Sequence, residues 1–202
     1  RLALEQNREV YAVPGPALDA HCLGCQDLVR QGAHAVFSAE DVLRDLAEQF
    51  RATMTLPVLL QGETSKGQLL QQFVSAGNAL LVATSSFWEG VDVRGDALSL
   101  VIIDKLPFTS PDDPLLKARM EDCRLRGGDP FDEVQLPDAV ITLKQGVGRL
   151  IRDVTDRGVL VICDNRLVMR PYGATFLASL PPAPRTRDIK RAVRFLANPT
   201  AE

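Results

Sequence analysis

Two arginines and a glutamine recur at a regular spacing in the segment KQGVGRLIRD, residues 144–153. If the segment is helical, Gln145, Arg149 and Arg152 fall at i, i+4 and i+7 and project from one face. Guanidinium groups grouped in this way can neutralise the charge that develops on a transferring phosphoryl group. The pattern therefore predicts a phosphate site, and the alternative is a set of surface arginines bonded to the nearby aspartates.

Two glycines lie inside the same predicted helix, which we place at residues 138–152. In a helix interior, Gly146 and Gly148 each lower stability by roughly 1 kcal/mol relative to alanine. A plain surface helix has no need of them. They indicate that something bulky, such as a polyphosphate or another backbone, comes close to this segment.

A second group of chemically capable side chains lies in SSFWEGVDVRGD, residues 85–96, directly after the apolar run ALLVAT. Loops that follow a buried strand and carry hydroxyl, aromatic, acidic and glycine residues are typical of ligand sites. The alternative is that Trp88 belongs to the core and that Glu89 is a solvated loop residue. Because an arginine-rich segment follows in the same chain, we favour the ligand site.

Short apolar runs alternate with helical patterns, and this alternation predicts the elements that hold these residues. Predicted strands cover residues 10–13, 33–37, 57–62, 79–84, 98–104 and 158–164. Predicted helices cover residues 24–31, 39–51, 66–76, 114–126, 138–152 and 172–180. Ser38, with Asp41 three residues later, approximates a capping box for the second of them. The order predicts an α/β fold with a doubly wound, mostly parallel sheet. Ligands of such sheets bind beyond the carboxyl ends of the strands, where the loops after Thr84, Asp104 and Asp164 emerge.

Composition limits the class of protein. The 202 residues are 46% hydrophobic and carry a net charge of −3, so any nucleic-acid site must be a local basic cluster. No apolar run approaches the roughly 20 residues that span a bilayer, which argues against a membrane protein. The N-terminus does not resemble a signal peptide and lacks an initiator methionine, which suggests a fragment. The four cysteines are too few for a disulfide framework, which favours the cytoplasm.

Cys22 and Cys25 have the spacing of half a zinc site or of a redox pair. No second cysteine pair follows, and neither His21 nor His34 has a companion at ligand spacing. We therefore predict no metal site and favour a pair of small residues in a turn, with a metal or redox pair as the alternative.

A family resemblance rests on the two segments described first. Residues 86–96 resemble motif V, and QGVGRLIR, residues 145–152, resembles motif VI of superfamily 2 DNA helicases. From about residue 43 to 195 the chain resembles the C-terminal motor domain of bacterial DinG/YoaA-type helicases, which are XPD-like. The resemblance implies a RecA-like second helicase domain that works in ATP-dependent DNA unwinding during replication or repair.

The resemblance also implies roles for individual residues. Arg149 and Arg152 would reach ATP on the other motor domain, and Gln145 would contact the phosphates or the attacking water. Gly90 and Asp92 would bind the nucleotide and couple it to DNA. The residues implied near single-stranded DNA are Ser85, Ser86, Phe87, Trp88 and Glu89, and KLPF, residues 105–108, would lie at the domain cleft.

The chain departs from the family pattern in what it lacks. It contains no G-x-x-x-x-G-K-[ST] phosphate loop, no D-E-A-H box and no cysteine set for the family's iron–sulfur cluster. ATP and Mg²⁺ would therefore be bound mainly by a first motor domain that this chain does not contain. Half a motor is predicted to be inactive in ATP hydrolysis on its own.

Residues 1–43 resemble, instead, the end of the Rossmann-like domain of the DNA-processing protein DprA. The likeness rests on Pro14, Gly15, Gly24 and the pair Gly32–Ala33. It implies a three-part chain: a DprA-like segment at 1–43, a helicase domain at 44–182 and a basic tail at 183–202. No binding residue is carried over from this second resemblance.

The tail pattern predicts an amphipathic helix, because Ile189, Ala192, Val193 and Leu196 fall at i, i+3, i+4 and i+7. The stretch from Arg187 to Leu196 would dock on a replication or repair protein or another acidic surface, and the alternative is packing on its own domain.

Two other functions compete with the motor domain. One is a non-catalytic module of DprA-like ancestry that binds single-stranded DNA or protein, or a recombined chain with no evolved role. An NAD enzyme is disfavoured because no G-x-G-x-x-G follows a strand.

Overall fold

The computed structural model describes residues 10–15, 22–88, 93, 97–151 and 156–198. The chain divides into two compact units, Arg1–Thr84 and Ser85–Glu202. Each unit combines short parallel strands with helices, so the predicted α/β class is confirmed.

The first unit contains four strands and three helices among its described residues. In chain order they are β1 (Tyr11–Ala12), α1 (Leu23–Arg30), β2 (His34–Ala35), α2 (Ala39–Thr53), β3 (Val58–Leu60), α3 (Lys66–Ala76) and β4 (Leu80–Val82). Strand β1 pairs in parallel with β2, and β3 pairs in parallel with β4, with Val58 opposite Leu80. The core of this unit forms where α2 packs on β3, around the buried residues Ala47, Val58 and Leu60.

The bounds of α2 and α3 follow from local hydrogen bonds. The Ser38 hydroxyl accepts from the Asp41 N–H, and the Asp41 carboxylate accepts from the Ser38 N–H, which confirms the capping box expected for α2. The Ser65 hydroxyl accepts from the Gln68 N–H and caps α3, and Gly77 ends this helix with a left-handed φ of 67°.

The second unit begins with a 3₁₀ helix, Ser85–Trp88, and is mostly helical. It continues with β5 (Leu100–Ile103), α4 (Pro114–Leu125), a π-helical turn (Phe131–Gln135), α5 (Leu136–Val147), β6 (Val159–Ile162), α6 (Arg166–Met169), α7 (Gly173–Ser179) and α8 (Ile189–Ala197). Strands β5 and β6 pair in parallel, with Leu100 opposite Val159. One side of this pair meets α5 and α7 in a core that includes Ile103, Leu143 and Phe176.

The described strands form three two-stranded sheets, so the single doubly wound sheet is not confirmed. Each strand has only two to four residues, shorter than the apolar runs that predicted it. No helix in the described part of the chain is long and apolar enough to cross a membrane.

Candidate functional site

The end of α5 and the 3₁₀ helix Ser85–Trp88 form the candidate site of the second unit. Phe87 is buried and anchors the 3₁₀ helix, whereas Ser85 and Ser86 are exposed. Trp88 is half-buried, and its indole packs against the last turn of α5. The two segments singled out from the sequence are therefore in direct contact.

Gly146 is required by this contact. A Cβ atom placed on Gly146 would lie 2.5 Å from Cε3 and Cζ3 of Trp88, closer than real Cβ atoms approach. The glycine thus admits a bulky neighbour, as its position in a helix indicated, but that neighbour is an aromatic side chain of the same unit.

The predicted helix over residues 138–152 is wrong at its C-terminal end, because α5 stops at Val147. The Gly148 N–H still donates to the Lys144 carbonyl, at 2.8 Å, but the Arg149 N–H donates to the Gly146 carbonyl in a tighter turn. This turn carries Leu150 into the interior, where it is 4% exposed. Gln145 lies on the helix and Arg149 beyond it, so the expected single helical face is not formed.

Arg149 is held by a backbone carbonyl. Its Nε donates to the carbonyl oxygen of Trp88 at 3.1 Å. The side chain is half-buried, and among the residues that the structure describes it makes no ion pair with a carboxylate. The alternative, in which Asp153 or Asp156 pairs with these arginines, is not tested, because Arg152 and Asp153 lie outside the described residues. Because a carbonyl oxygen carries no net charge, this hydrogen bond orients the guanidinium without neutralising it.

Some of the other predicted site residues lie near Arg149, and the rest lie outside the described residues. Gln145 is exposed on the last turn of α5, one helical turn before Arg149. The predicted residues Glu89, Gly90, Asp92 and Arg152 lie outside the described residues.

An ion pair between a buried aspartate and a half-buried arginine in the second unit was missed by the sequence reasoning. Asp164 follows β6 and is only 6% exposed. Its carboxylate accepts from the backbone N–H of Leu106 at 2.9 Å and from Nη2 of Arg166 at 2.6 Å. Leu106 belongs to the KLPF segment after β5, so the carboxylate joins the loops that follow the two paired strands. An aspartate at the end of a buried strand with an arginine two residues later was the available signal.

Hydrogen bonds keep the Asp164 carboxylate ionised. Its pKa is lowered well below the usual range, first by the side-chain hydrogen bond from Arg166 and then by the N–H groups of Leu106 and Arg166, against the effect of burial. The same pair raises the pKa of Arg166. The Arg166 guanidinium also lies over the Phe108 ring, 5.3 Å from its centroid, and so extends the link to the loop after β5.

The depressed pKa of Asp164 predicts an acid dependence of stability. Because an unfolded aspartate has a pKa of about 3.9, this group stabilises the fold fully above that pH and loses its contribution as the pH falls towards the lower native pKa. We therefore expect the free energy of unfolding to fall between about pH 5 and pH 2. Urea titrations at a series of pH values would measure it, and a pH-independent free energy over that range would contradict the assignment.

The described residues contain no cluster of three or more His, Cys, Asp or Glu side chains that could hold a metal ion. Cys22 and Cys25 are free thiols at the start of α1.

The tail helix α8 forms as predicted from its periodicity, with Asp188 as its cap. It contacts its own unit at one edge, where the Arg157 guanidinium lies 4.8 Å from the Phe195 ring centroid. Ile189 and Val193 remain 77% and 58% exposed, so much of the apolar face is not covered by described residues.

Comparison with known proteins identifies relatives for most of the chain. Residues 24–183 match the family described as the helicase C-terminal domain. The ATP-dependent DNA helicase YoaA of Escherichia coli K12 is 82% identical over 194 residues, which are 96% of this chain and 29% of that protein. YoaA of Haemophilus influenzae is 73% identical over 157 residues, 78% of this chain and 24% of that protein.

A more distant relative carries a different activity in its name. The 3'-5' exonuclease DinG of Bacillus subtilis is 42% identical over 151 residues, 72% of this chain and 16% of that protein. The chain thus spans less than a third of the length of each of these three relatives.

The match to E. coli YoaA covers 96% of the chain and so extends into residues 1–43. The helicase family match also begins inside that segment, at residue 24. The likeness of residues 1–43 to DprA stays a prediction.

Proposed function

The chain belongs to the helicase C-terminal domain family, and we propose that it is the second, RecA-like motor domain of an ATP-dependent DNA helicase. The names of its relatives, ATP-dependent DNA helicase YoaA and ATP-dependent helicase DinG, support this role. Such a domain would supply arginine groups to ATP and contacts to single-stranded DNA during replication or repair. A doubly wound, RecA-like sheet belongs to the same proposal.

The observation that carries the proposal is the orientation of Arg149. A hydrogen bond from Nε to the Trp88 carbonyl uses one donor and leaves the two Nη groups free of described carboxylates. Guanidinium N–H groups in this state suit bidentate contact with phosphate oxygens. The chemistry of Arg149 therefore fits the γ-phosphate of ATP.

The remaining nucleotide contacts are assigned around Arg149. Arg152 would act as a second arginine finger, Gln145 would contact the phosphates or the attacking water, and Gly90 and Asp92 would couple nucleotide to DNA. ATP and Mg²⁺ would be held mainly by the first motor domain, since the described residues offer no acidic cluster for the ion. ATP hydrolysis supplies the energy of the proposed unwinding, and this domain contributes charge neutralisation to it.

DNA contact is assigned to the exposed start of the 3₁₀ helix. Ser85 and Ser86 are exposed and can donate hydroxyl hydrogen bonds to phosphate oxygens. Glu89 follows in the same loop and is assigned with them. The buried ring of Phe87 anchors this segment, which suits a surface that must hold its shape.

The three-part division at residues 1–43, 44–182 and 183–202, with a cytoplasmic location, remains part of the proposal. The tail from Arg187 to Leu196 would dock on a replication or repair protein. Its exposed Ile189 and Val193 and its basic residues fit an acidic partner surface.

A chimaera tests the proposed function. In this protein, called the YoaA chimaera below, the present chain replaces the segment of E. coli YoaA that it matches. We expect the purified chain alone to show no ATP hydrolysis, and the YoaA chimaera to hydrolyse ATP at a rate that single-stranded DNA raises. Steady-state phosphate release measures both, and YoaA truncated before the matched segment is the control.

Two results would contradict the motor assignment. DNA-stimulated turnover by the isolated chain would mean that it holds a complete ATP site. The second result has two parts: the YoaA chimaera folds but does not hydrolyse ATP, and the isolated chain binds single-stranded DNA in a salt-dependent way. Together they would favour the non-catalytic binding module.

A further inference from the structure

Trp88 makes two contacts that together fix the direction of Arg149. Its indole lies against the Cα of Gly146, where no side chain could be accommodated. Its carbonyl oxygen accepts the hydrogen bond from Nε of Arg149 at 3.1 Å. Both partners belong to the same turn at the end of α5, so Trp88 contacts this turn through its side chain and through its backbone.

We propose that Trp88, seated on Gly146, is the positioning residue that aims Arg149 at the nucleotide, and that it is not a base-stacking residue for DNA. The proposal rests on the proposed function of Arg149 as an arginine finger. It revises the assignment of Trp88 to the nucleic-acid contacts and gives Gly146 a role in the nucleotide site.

The packing of the Trp88 indole explains why we remove this residue from the predicted DNA contacts. Stacking on a base requires an aromatic face that is open to the strand. Cε3, Cζ3 and Cδ2 of Trp88 all lie within 2.7 Å of the place that a Gly146 Cβ would occupy. One face of the six-membered ring is therefore packed on the helix, and the half-buried side chain serves an internal contact.

Because the acceptor is a carbonyl oxygen, the Arg149 guanidinium can be held in one orientation and still neutralise charge on the nucleotide. A carboxylate partner would orient the guanidinium but would also cancel its charge, which the transition state needs. A carbonyl oxygen at Nε fixes the plane of the group and leaves the Nη edge for phosphate. Anything that shifts the Trp88 backbone must then shift the guanidinium.

The first test separates a positioning role from a DNA-stacking role. In the YoaA chimaera, Trp88→Ala and Gly146→Ala are each expected to lower kcat at saturating single-stranded DNA by about tenfold to a hundredfold, because misplacing a catalytic group by about 1 Å has effects of that size. The DNA concentration for half-maximal stimulation is expected to stay unchanged. An unchanged kcat, or a loss that appears only as a higher DNA requirement, would overturn the proposal.

Gly67→Ala is the matched control for Gly146→Ala. Gly67 also lies inside a helix, α3, and a Cβ there meets nothing within 4 Å. By helix propensity alone, both substitutions would stabilise their helices. A loss of kcat confined to Gly146→Ala therefore reports the contact with Trp88.

A second test does not depend on activity, because Trp88 is the only tryptophan of the chain. In the isolated chain, Gly146→Ala is expected to shift the tryptophan emission to longer wavelength and to raise its quenching by acrylamide. Gly67→Ala should leave both as in the unchanged chain. Identical emission in all three proteins would overturn the packing on which the proposal depends, and Trp88→Ala in the chimaera keeps the proposal testable if Gly146→Ala does not fold.

A double substitution distinguishes failure of this inference from failure of the proposed function. If Trp88 acts through Arg149, adding Trp88→Ala to Arg149→Ala lowers kcat no further. If Arg149→Ala alone leaves kcat unchanged, the proposed finger is wrong. If Arg149→Ala lowers kcat but Trp88→Ala and Gly146→Ala do not, the finger stands and the positioning role is overturned.

Discussion

Replacing Arg149 with alanine in the YoaA chimaera is expected to lower kcat for ATP hydrolysis by about a thousandfold, because arginine fingers contribute roughly 10³ to 10⁵ in rate. The loss should appear in kcat far more than in KM, since the guanidinium meets charge that develops only in the transition state. Steady-state phosphate release at saturating single-stranded DNA measures both constants. Arg149→Lys is expected to recover only part of the loss, because an ammonium group keeps the charge without the planar fork.

Arg124→Ala provides the matched control for this prediction. Arg124 is also at the C-terminal end of a helix, α4, but it forms an exposed pair with Glu121 and its side chain is 55% exposed. Its removal should leave kcat unchanged, because exposed pairs of this kind contribute little. Wild-type turnover by the Arg149→Ala protein would refute the finger assignment, whereas equal losses in both variants would indicate a general effect of lost positive charge.

Local patterns in the sequence predicted the parts of the fold that depend on neighbouring residues. The capping box of Ser38 and Asp41 is an interaction over three residues, and it forms as expected. The apolar runs predicted, in their correct order, the six strands that the described residues form. The pairing of these strands depends on distant residues. The apolar runs do not indicate which strands pair, so they could not establish the predicted doubly wound sheet.

The candidate site shows the same limit. Gly146 was recognised as unusual in a helix, but its partner Trp88 lies far away in the chain, and no local pattern names it. The contact from Arg149 to the Trp88 carbonyl spans 61 residues and uses a backbone acceptor that every residue type carries. The end of α5 was also misplaced, because burial of Leu150 prevailed over helical periodicity.

Asp164 was overlooked for a related reason. An aspartate after an apolar run ordinarily marks the exposed end of a strand, and Asp104 after β5 fits that expectation with a side chain that is 82% exposed. Asp164 differs because Leu106 and Arg166 enclose it, and the bond to the Leu106 N–H spans 58 residues. Two aspartates that each end an apolar run thus have opposite environments.

Asp164→Asn is expected to lower the free energy of unfolding by about 2 kcal/mol, since removing one partner of a buried ion pair leaves the other uncompensated. The value is set below the usual range for fully buried pairs because the Arg166 side chain is 43% exposed and retains some solvation. The amide oxygen can still accept the Leu106 N–H, so the variant should fold. Urea denaturation at pH 7, followed by circular dichroism, measures the change in the purified chain.

Asp104→Asn is the matched control, because it makes the same chemical change at the end of the neighbouring strand. Asp104 is exposed and pairs with Lys105 at 3.6 Å, so its loss should change the free energy of unfolding by less than about 0.5 kcal/mol. The Asp164→Asn protein should also show a smaller fall in stability between about pH 5 and pH 2, because one of the titrating carboxylates is gone. Equal effects of the two substitutions, or an unchanged acid dependence in Asp164→Asn, would show that the Asp164 carboxylate does not join the loops after β5 and β6 in the way its hydrogen bonds indicate.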